Sequence, residues 1–449
     1  MAEEPVVVPH ERLTEFIVSV LEGVKMSTKN ARLTADLMVR TDLRGVDSHG
    51  IGMLPKYVEW TRLGFIHPWA EPTVVRDDLA TGLVDGQKGL GHPASVMAMD
   101  LAIAKAATYG MGIVAVRNSN HFGACANYSM MAIARGMIGL AFTNSPFVAM
   151  APTFGRKPMM GTNPISVAAP AAAREPYVLD MATTTVAVGK LNIALRWNKP
   201  IPEGWGLDER AQATTDPRKV LASRLLSPLG GSRELGSHKG YGLGVLVDIL
   251  SGVLGGAVYG DVLDRKGLRA QKLTNTGHCF AAIDIKRFRP LEEFTADMDD
   301  MLGALQDMPT ADGHERVYTA GQPEAETARH RRVTGIPIAP VLAAQCNDIA
   351  SSLGVKPLTY GSRWAGRGRA GGALVRSTSS PRAPPRSGAS ACPPIPPKRG
   401  VRSPPRFAGT ARAAESPCAS GRATARRIRS RWHPRPGCPP SRLLWHPLL

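Results

Sequence analysis

A break near residue 360 limits what this chain can fold into more than any other feature of its 449 residues. Residues 360–449 hold 18 of the 55 Lys and Arg residues, a single acid, Glu415, 15 of the 37 prolines and 3 of the 6 cysteines. Runs such as SPRAPPRSGAS and RATARRIRSRWHPRPGCPP show neither helical nor strand periodicity, and they offer too little apolar surface to offset the entropy of ordering the backbone. The expectation is a disordered, basic, Pro/Arg-rich tail over 360–449. It carries +17 of the formal charge of +18, so the first 359 residues carry +1. That balance removes the electrostatic argument for a nucleic-acid or membrane-surface role in the body. The tail itself reads either as a nucleic-acid arm or as an unstructured extension. Its aromatics, which would stack on bases in a single-strand site, are few and widely separated rather than interleaved with the basic residues, which favours the extension. The body is long enough for a large core in one or two domains.

The opening MAEEPVVVPHERL has acids where a signal peptide needs basic residues and no sustained apolar core, so a cytoplasmic protein is expected. Cys125, Cys279 and Cys346 are isolated, without CxxC spacing, which fits a reducing compartment and gives no metal signal. Residues 241–260, YGLGVLVDILSGVLGGAVYG, imitate a membrane span and contain a GxxxG pair at Gly252 and Gly256. Asp248 near the centre argues against that reading, and a buried helix packing closely through its glycines is expected instead.

Apolar spacing at Leu13, Phe16, Ile17 and Val20, repeated in NARLTADLMVRTDLRG, predicts a helical hairpin of about 35 residues. A turn carrying Ser48, His49 and Gly50 follows, then an amphipathic stretch with Tyr57 and Trp60. From about Thr73 the texture becomes α/β. Strand-like runs (TGLVDGQ, GMGIVAVRNSNHFG, GMIGLAFTNSP, NPISVAAP, PYVLDMAT, HCFAAIDIKRF) are interrupted by helix-like segments such as HPASVMAMDLAIAKAATYG and ACANYSMMAIARG. No GxGxxG follows a strand and opens a helix, so a Rossmann site is not supported. The domains expected are a helical N-terminal segment over 1–72, an α/β domain over 73–310 and a closing segment over 311–359.

Two histidines stand in segments built for access: His49 in DSHG and His121 in RNSNHFG. Imidazole can take or release a proton near neutral pH at little cost, so either could act as an acid/base, and either could equally be a histidine bonding backbone in a turn. In GSHKGYGLG, Ser237 is placed to cap the following helix, so that free N–H groups and Lys239 would converge on an anion. A capped helix with a solvated lysine accounts for the same residues. MMGTNPISVAAP and VLDMATTT place small and hydroxyl residues at strand ends, where a flat ligand could approach the backbone.

Taken together and in order, RGVDSHGIGMLPKY, VRNSNHFGACANY, MMGTNPISVAAP, VLDMATTT, IPEGWGLDERAQATTDP and GSHKGYGLGVLVDILSGVL resemble the malate/L-lactate dehydrogenase-like oxidoreductases over roughly residues 8 to 357. This family also holds ureidoglycolate and sulfolactate dehydrogenases, diketogulonate reductase and a cyclic imino-acid reductase. The resemblance implies a non-Rossmann, mostly antiparallel cofactor sheet flanked by helices, binding of NAD or NADP, and a homodimer with active sites near the subunit interface. By position, His121 matches the catalytic acid/base and His49 the SHG histidine. Ser48 and Tyr57 fall beside the substrate, with Arg44 nearby in a structural role. Ser145, Val178, Leu179, Asp180, Met181, Ala182, Thr183, Thr184, His238, Lys239, Gly321 and Gln322 match cofactor-contacting segments.

The function this implies is hydride transfer between nicotinamide and a small 2-hydroxy acid or 2-oxo acid. Alternatives are reduction of a cyclic imino acid, and a non-catalytic protein working through a nucleic-acid-binding tail. Two departures bear on specificity. Met53 stands where several family members carry an arginine suited to gripping a carboxylate, and Ala320 and Gln322 replace the more usual Pro and Glu around Gly321.

Overall fold

The computed structural model describes residues 4–358 except 197, 269–271 and 273, so the expectation of a disordered tail lies outside the described residues. Strand β1 (Val6–Val8) leads into helix α1 (His10–Gly23), and Ser27 accepts the Asn30 N–H to cap α2 (Thr28–Leu43). Leu13, Phe16, Ile17 and Val20 are all buried, which forms the expected hairpin. After the turn, α3 (Leu54–Arg62) completes the N-terminal helices.

There follow β2 (Thr73–Asp78), β3 (Thr81–Asp85), α4 (Gly91–Tyr109), β4 (Met111–Ser119), α5 (Ala126–Ser129), β5 (Met137–Thr143), β6 (Ile165–Ala169) and β7 (Tyr177–Met181). An excursion of α6 (Val188–Arg196), β8 (Gly206–Leu207), α7 (Pro217–Ser223) and β9 (Leu225–Leu226) closes over its own apolar cluster of Leu191, Ile201, Val220 and Leu226. Then come α8 (Ser237–Val247), continued by a π-helical turn at Asp248–Val253, α9 (Val262–Arg265), β10 (Thr276–Asp284), α10 (Leu291–Gln306), α11 (Gln322–Thr334), β11 (Ile336–Ile338) and α12 (Pro340–Leu353).

The main sheet has seven strands in the order β2-β3-β4-β10-β5-β6-β7. Every neighbouring pair is antiparallel except β3 and β4, whose parallel pairing is made possible by the crossover helix α4. β10, in the middle, is buried on both faces. Phe280 and Ala282 point into a core shared with Ala98, Met99 and Ala102 of α4, whereas Cys279 joins Phe142 and Val247 beneath α8. The chain then returns to its start: β11 pairs antiparallel with β1, and Ile336, Ile338, Ala343 and Cys346 enter the same core as Leu13 and Phe16.

Two local expectations need correction. Residues 241–260 are only half buried. Gly244, Val247, Asp248, Ser251 and Gly252 face the protein, but Leu246, Ile249, Val253 and Leu254 are 43%, 49%, 55% and 60% exposed. The helix covers one side of a sheet, and none of the described residues covers its outer side. Of the two glycines, Gly252 does pack closely, since a β-carbon there would fall 2.4 Å from the Val258 carbonyl oxygen, whereas Gly256 sits in open space in a turn at φ +74°. Ser237 does not cap α8 either. Gly236, in the left-handed region at φ 94°, holds that position, and the Ser237 hydroxyl is buried against Thr153 Oγ1 at 3.0 Å. Among the described residues no helix is long and apolar enough to cross a membrane.

Candidate active site

The turn between α2 and α3 presents His49. Its footing is Asp42, a buried carboxylate at the end of α2 whose Oδ2 accepts the Ile51 N–H at 2.7 Å. Burial pushes the Asp42 carboxyl well above the usual range, against the pull of that N–H. Gly50 is required by this contact, because a β-carbon there would fall 2.0 Å from Asp42 Oδ1. From the other side, Arg331 of α11 pairs with Asp47 and donates to the Asp42 carbonyl at 2.6 Å. Ser48 Oγ lies 2.8 Å from His49 Nδ1 and orients that ring.

His121 is placed by the end of β4. Asn120 ties the surrounding loops together, its Nδ2 donating to the carbonyls of Lys88 and Gly89, both at 3.0 Å, while its Oδ1 accepts from Thr274 Oγ1 at 2.5 Å. Phe122, on the other side, stacks on His278 with ring centroids 4.6 Å apart. His121 Nδ1 accepts the Gly123 N–H at 3.3 Å and lies 2.7 Å from Tyr57 Oη. A backbone N–H can only donate, so Nδ1 holds a lone pair and the neutral ring carries its proton on Nε2. Nε2 has no partner among the described residues, and the ring lines a cavity. The rings of His49 and His121 are 5.5 Å apart.

Enclosure holds His121 well below the ordinary imidazole range, and the nearby rings of His49, His92 and His278 add to the effect. Burial also lowers His49. His92 and His278 are each pushed down to about 3 by burial and are therefore neutral. His92, set edge-on to Tyr57 at 5.8 Å, and His278, bonded through Thr143 Oγ1 at 2.7 Å and Ser119 Oγ at 2.9 Å, form the apolar backing of the pair.

Two connected spaces open here. A chamber of about 170 Å³ contains His49 and His121 with Ser145, Trp60, Phe65 and Phe147. It shares His49, Gly123, Thr162 and Pro164 with a cleft of about 480 Å³ that runs along the end of β7. Ser48, Val178, Leu179, Asp180, Met181, Ala182 and Gly321 line this cleft. Thr183 and Thr184 are buried beneath it, their hydroxyls donating to the carbonyls of Thr162 and Val186. Tyr57 stands behind His121 and lines neither space. Gln322 turns toward Gln306 of α10, whose side-chain amide it accepts at 3.2 Å. His238 and Lys239 are not brought to the cleft; His238 Nδ1 lies 3.1 Å from Arg233 Nη1.

Arg44 lines the cleft and forms no ion pair among the described residues, although Glu324, Asp180 and Glu175 act on its charge. The reading of Arg44 as structural thus meets a guanidinium that faces open space. Sequence reasoning missed Gly123, Thr162, Pro164 and the aromatic wall. Gly123 sits in the RNSNHFG run beside His121, and Thr162 and Pro164 sit in MMGTNPISVAAP, but only the fold brings these runs to one space with Trp60, Phe65 and Phe147.

The chain matches the family described as malate/L-lactate dehydrogenase over residues 8–347. The chain belongs to that family. It is 40% identical over 358 residues to malate dehydrogenase of Pyrococcus abyssi, spanning 79% of this chain and 97% of the relative. L-sulfolactate dehydrogenase of Methanocaldococcus jannaschii is 37% identical over 350 residues, covering 78% of this chain and 98% of its own. The solved structure of malate dehydrogenase from Entamoeba histolytica superposes with a TM-score of 0.75 at 34% identity, over 79% of this chain and 99% of that one. As a member of the malate/L-lactate dehydrogenase family, the protein is an oxidoreductase that acts on the CH–OH group of 2-hydroxy acids.

Proposed function

We propose that the protein interconverts a small 2-hydroxy acid and its 2-oxo acid with NAD or NADP, and that His121 is the acid/base. The observation that carries this reading is the Tyr57–His121–His49 arrangement, which presents one unpartnered imidazole nitrogen to a chamber opening into a long cleft. In this reading residues 73–310 form the cofactor-binding domain, and 1–72 with 311–359 form the helical side of the site.

The cleft suits a dinucleotide. Its rim has glycines at positive φ, Gly123 at +79° and Gly321 at +90°, and a β-carbon at Gly321 would meet Val178 at 2.7 Å. A side chain at either position would strike Val178 or His92, so glycine keeps the rim in place. Arg44 supplies a cation for a phosphate or carboxylate. Val178, Leu179, Asp180, Met181, Ala182 and Gly321 would line the cofactor, with Ser145 at the chamber end. When bound, the nicotinamide supplies or accepts the hydride at the carbon bearing oxygen.

The remaining chemistry belongs to the chain. In reduction the carbonyl oxygen gains negative charge as its carbon gains a hydride, and His121 Nε2 donates the proton that completes the hydroxyl. In oxidation Nε2 takes that proton back, which requires the neutral tautomer protonated on Nδ1, with Tyr57 Oη accepting from Nδ1 in place of the Gly123 N–H contact. Tyr57 and the Gly123 N–H hold Nδ1, which keeps Nε2 toward the substrate. His49, oriented by Ser48, positions the substrate from the opposite wall.

The pH dependence follows in sign. His121 is held below its ordinary value, so it is already neutral near pH 7. Oxidation rises with pH through that depressed value and is level by neutrality. Reduction, which needs the protonated ring, falls about tenfold per unit above it. NADH and NADPH consumption with pyruvate, oxaloacetate, other 2-oxo acids and a cyclic imino acid, followed from pH 5 to 9, checks both the reading and the limb. Failure to bind either cofactor would remove it.

The exposed stripe Leu246, Ile249 and Val253, at helical spacing, supports a homodimer joined through α8 and its π-helical turn. Ile249→Arg is expected to shift the protein from dimer to monomer in light scattering at micromolar concentration; an unchanged mass would move the interface elsewhere. Three buried free thiols, Cys125, Cys279 and Cys346, support a cytoplasmic setting.

A further inference from the structure

The walls of the chamber carry information about the substrate that the catalytic pair does not. Trp60 and Phe147 stack across its mouth with ring centroids 5.9 Å apart and planes 18° from parallel, and Phe65 extends the same surface. The side chains of Asn120, Thr143, Asn144, Ser145 and Thr274, which line the chamber with them, are already engaged inside the protein. Asn144 donates to Asp248 Oδ1 and the Val258 carbonyl, and accepts the Gly277 N–H. Thr143 serves His278, Thr274 serves Asn120, and the Ser145 hydroxyl closes a turn onto Phe147. Among the described residues no lysine or arginine lines the chamber. Met53, in the turn after His49, packs into the helical core.

With the carbonyl at His121 and the 1-carboxylate toward the cleft and Arg44, the substrate's side chain would extend along this wall. A second carboxylate or a sulfonate placed there would lose its hydration without gaining a cation, whereas an apolar group would exchange water for aromatic faces. We infer that the preferred substrates are 2-oxo and 2-hydroxy acids with an aromatic or branched apolar side chain, selected by Trp60, Phe65 and Phe147. The inference rests on the dehydrogenase reading above and deepens it. The reaction itself is unchanged: one hydride to the carbonyl carbon and one proton to its oxygen, or the reverse.

The test compares kcat/KM of the full chain, with its reduced cofactor, for phenylpyruvate, 4-methyl-2-oxopentanoate, pyruvate and oxaloacetate. Phenylpyruvate and 4-methyl-2-oxopentanoate are expected to exceed oxaloacetate by about 100-fold. Phe147→Arg, a change at a half-exposed position, is expected to reverse that order by weakening phenylpyruvate and strengthening oxaloacetate. Independently of turnover, phenyllactate is expected to quench a tryptophan emission component that is missing in Trp60→Phe. Preference for oxaloacetate in the parent, or a Phe147→Arg variant with an unaltered ratio, overturns the inference and leaves the dehydrogenase standing. No turnover of any 2-oxo acid by a folded, cofactor-binding protein overturns both.

Discussion

His121→Ala is expected to lower kcat for 2-oxo acid reduction by about 10³-fold, within the range that a positioned general acid contributes. The expectation follows from where the ring stands. Its Nδ1 is occupied by Tyr57 and the Gly123 N–H, its Nε2 is unpartnered, and no other group with that combination lines the chamber among the described residues. His92 and His278 cannot substitute, because burial keeps both neutral and His278 spends both nitrogens on Thr143 and Ser119. His49 is nearer to a substitute, and His49→Ala is expected to cost less in kcat and more in KM, in keeping with a positioning role. Stopped-flow measurement of the hydride step in both variants, with cofactor affinity measured separately, checks the ranking. A larger loss of kcat in His49→Ala than in His121→Ala would reassign the acid/base to His49. Loss of the acidic limb of the oxidation profile in His121→Ala alone would tie that limb to this ring.

The sequence made both histidines visible because each sits in a short run of small and polar residues, where an imidazole has little reason to be packed. What it left open was which of them was engaged. The decisive contact, Tyr57 to His121, spans 64 positions and depends on α3 docking against the end of β4. The strand runs were readable from their alternation and β-branched content. Their order was not, since β10 enters the middle of the sheet between β4 and β5 after an interval of more than a hundred residues. The same limit explains 241–260. An apolar run with one acid fits a buried helix as well as a helix with one face awaiting a partner, and periodicity does not distinguish them. Ser237 was misread because cap preferences rank residue types, while here Gly236, in a left-handed conformation, ends the preceding turn and takes the position. His238 and Lys239 were carried over by motif, and the geometry of this chain leaves them outside the cleft lining.

Gly50→Ala is expected to destabilise the fold by about 2 kcal/mol through overpacking and to lower kcat/KM by about 100-fold through displacement of His49. A single methyl group has this reach because its position is already taken. The added carbon would lie 2.0 Å from Asp42 Oδ1, and all three carboxyl atoms fall within 2.3 Å of it. The carboxylate has little room to retreat, since it is buried, its Oδ2 holds the Ile51 N–H, and the backbone around it is fixed by Arg331. The turn must therefore move, and with it the residue that precedes Gly50. Asp42→Ala empties the space but orphans the Ile51 N–H, which by itself costs about 1–3 kcal/mol. The two changes therefore share one cause, and the double variant is expected to lose less stability than the sum of the single variants. Urea unfolding of the four proteins measures that coupling. Strict additivity would mean that the Gly50 α-carbon and the Asp42 carboxylate do not constrain each other, and a Gly50→Ala enzyme with parental kcat/KM would mean that the seat of His49 does not govern its reach into the chamber.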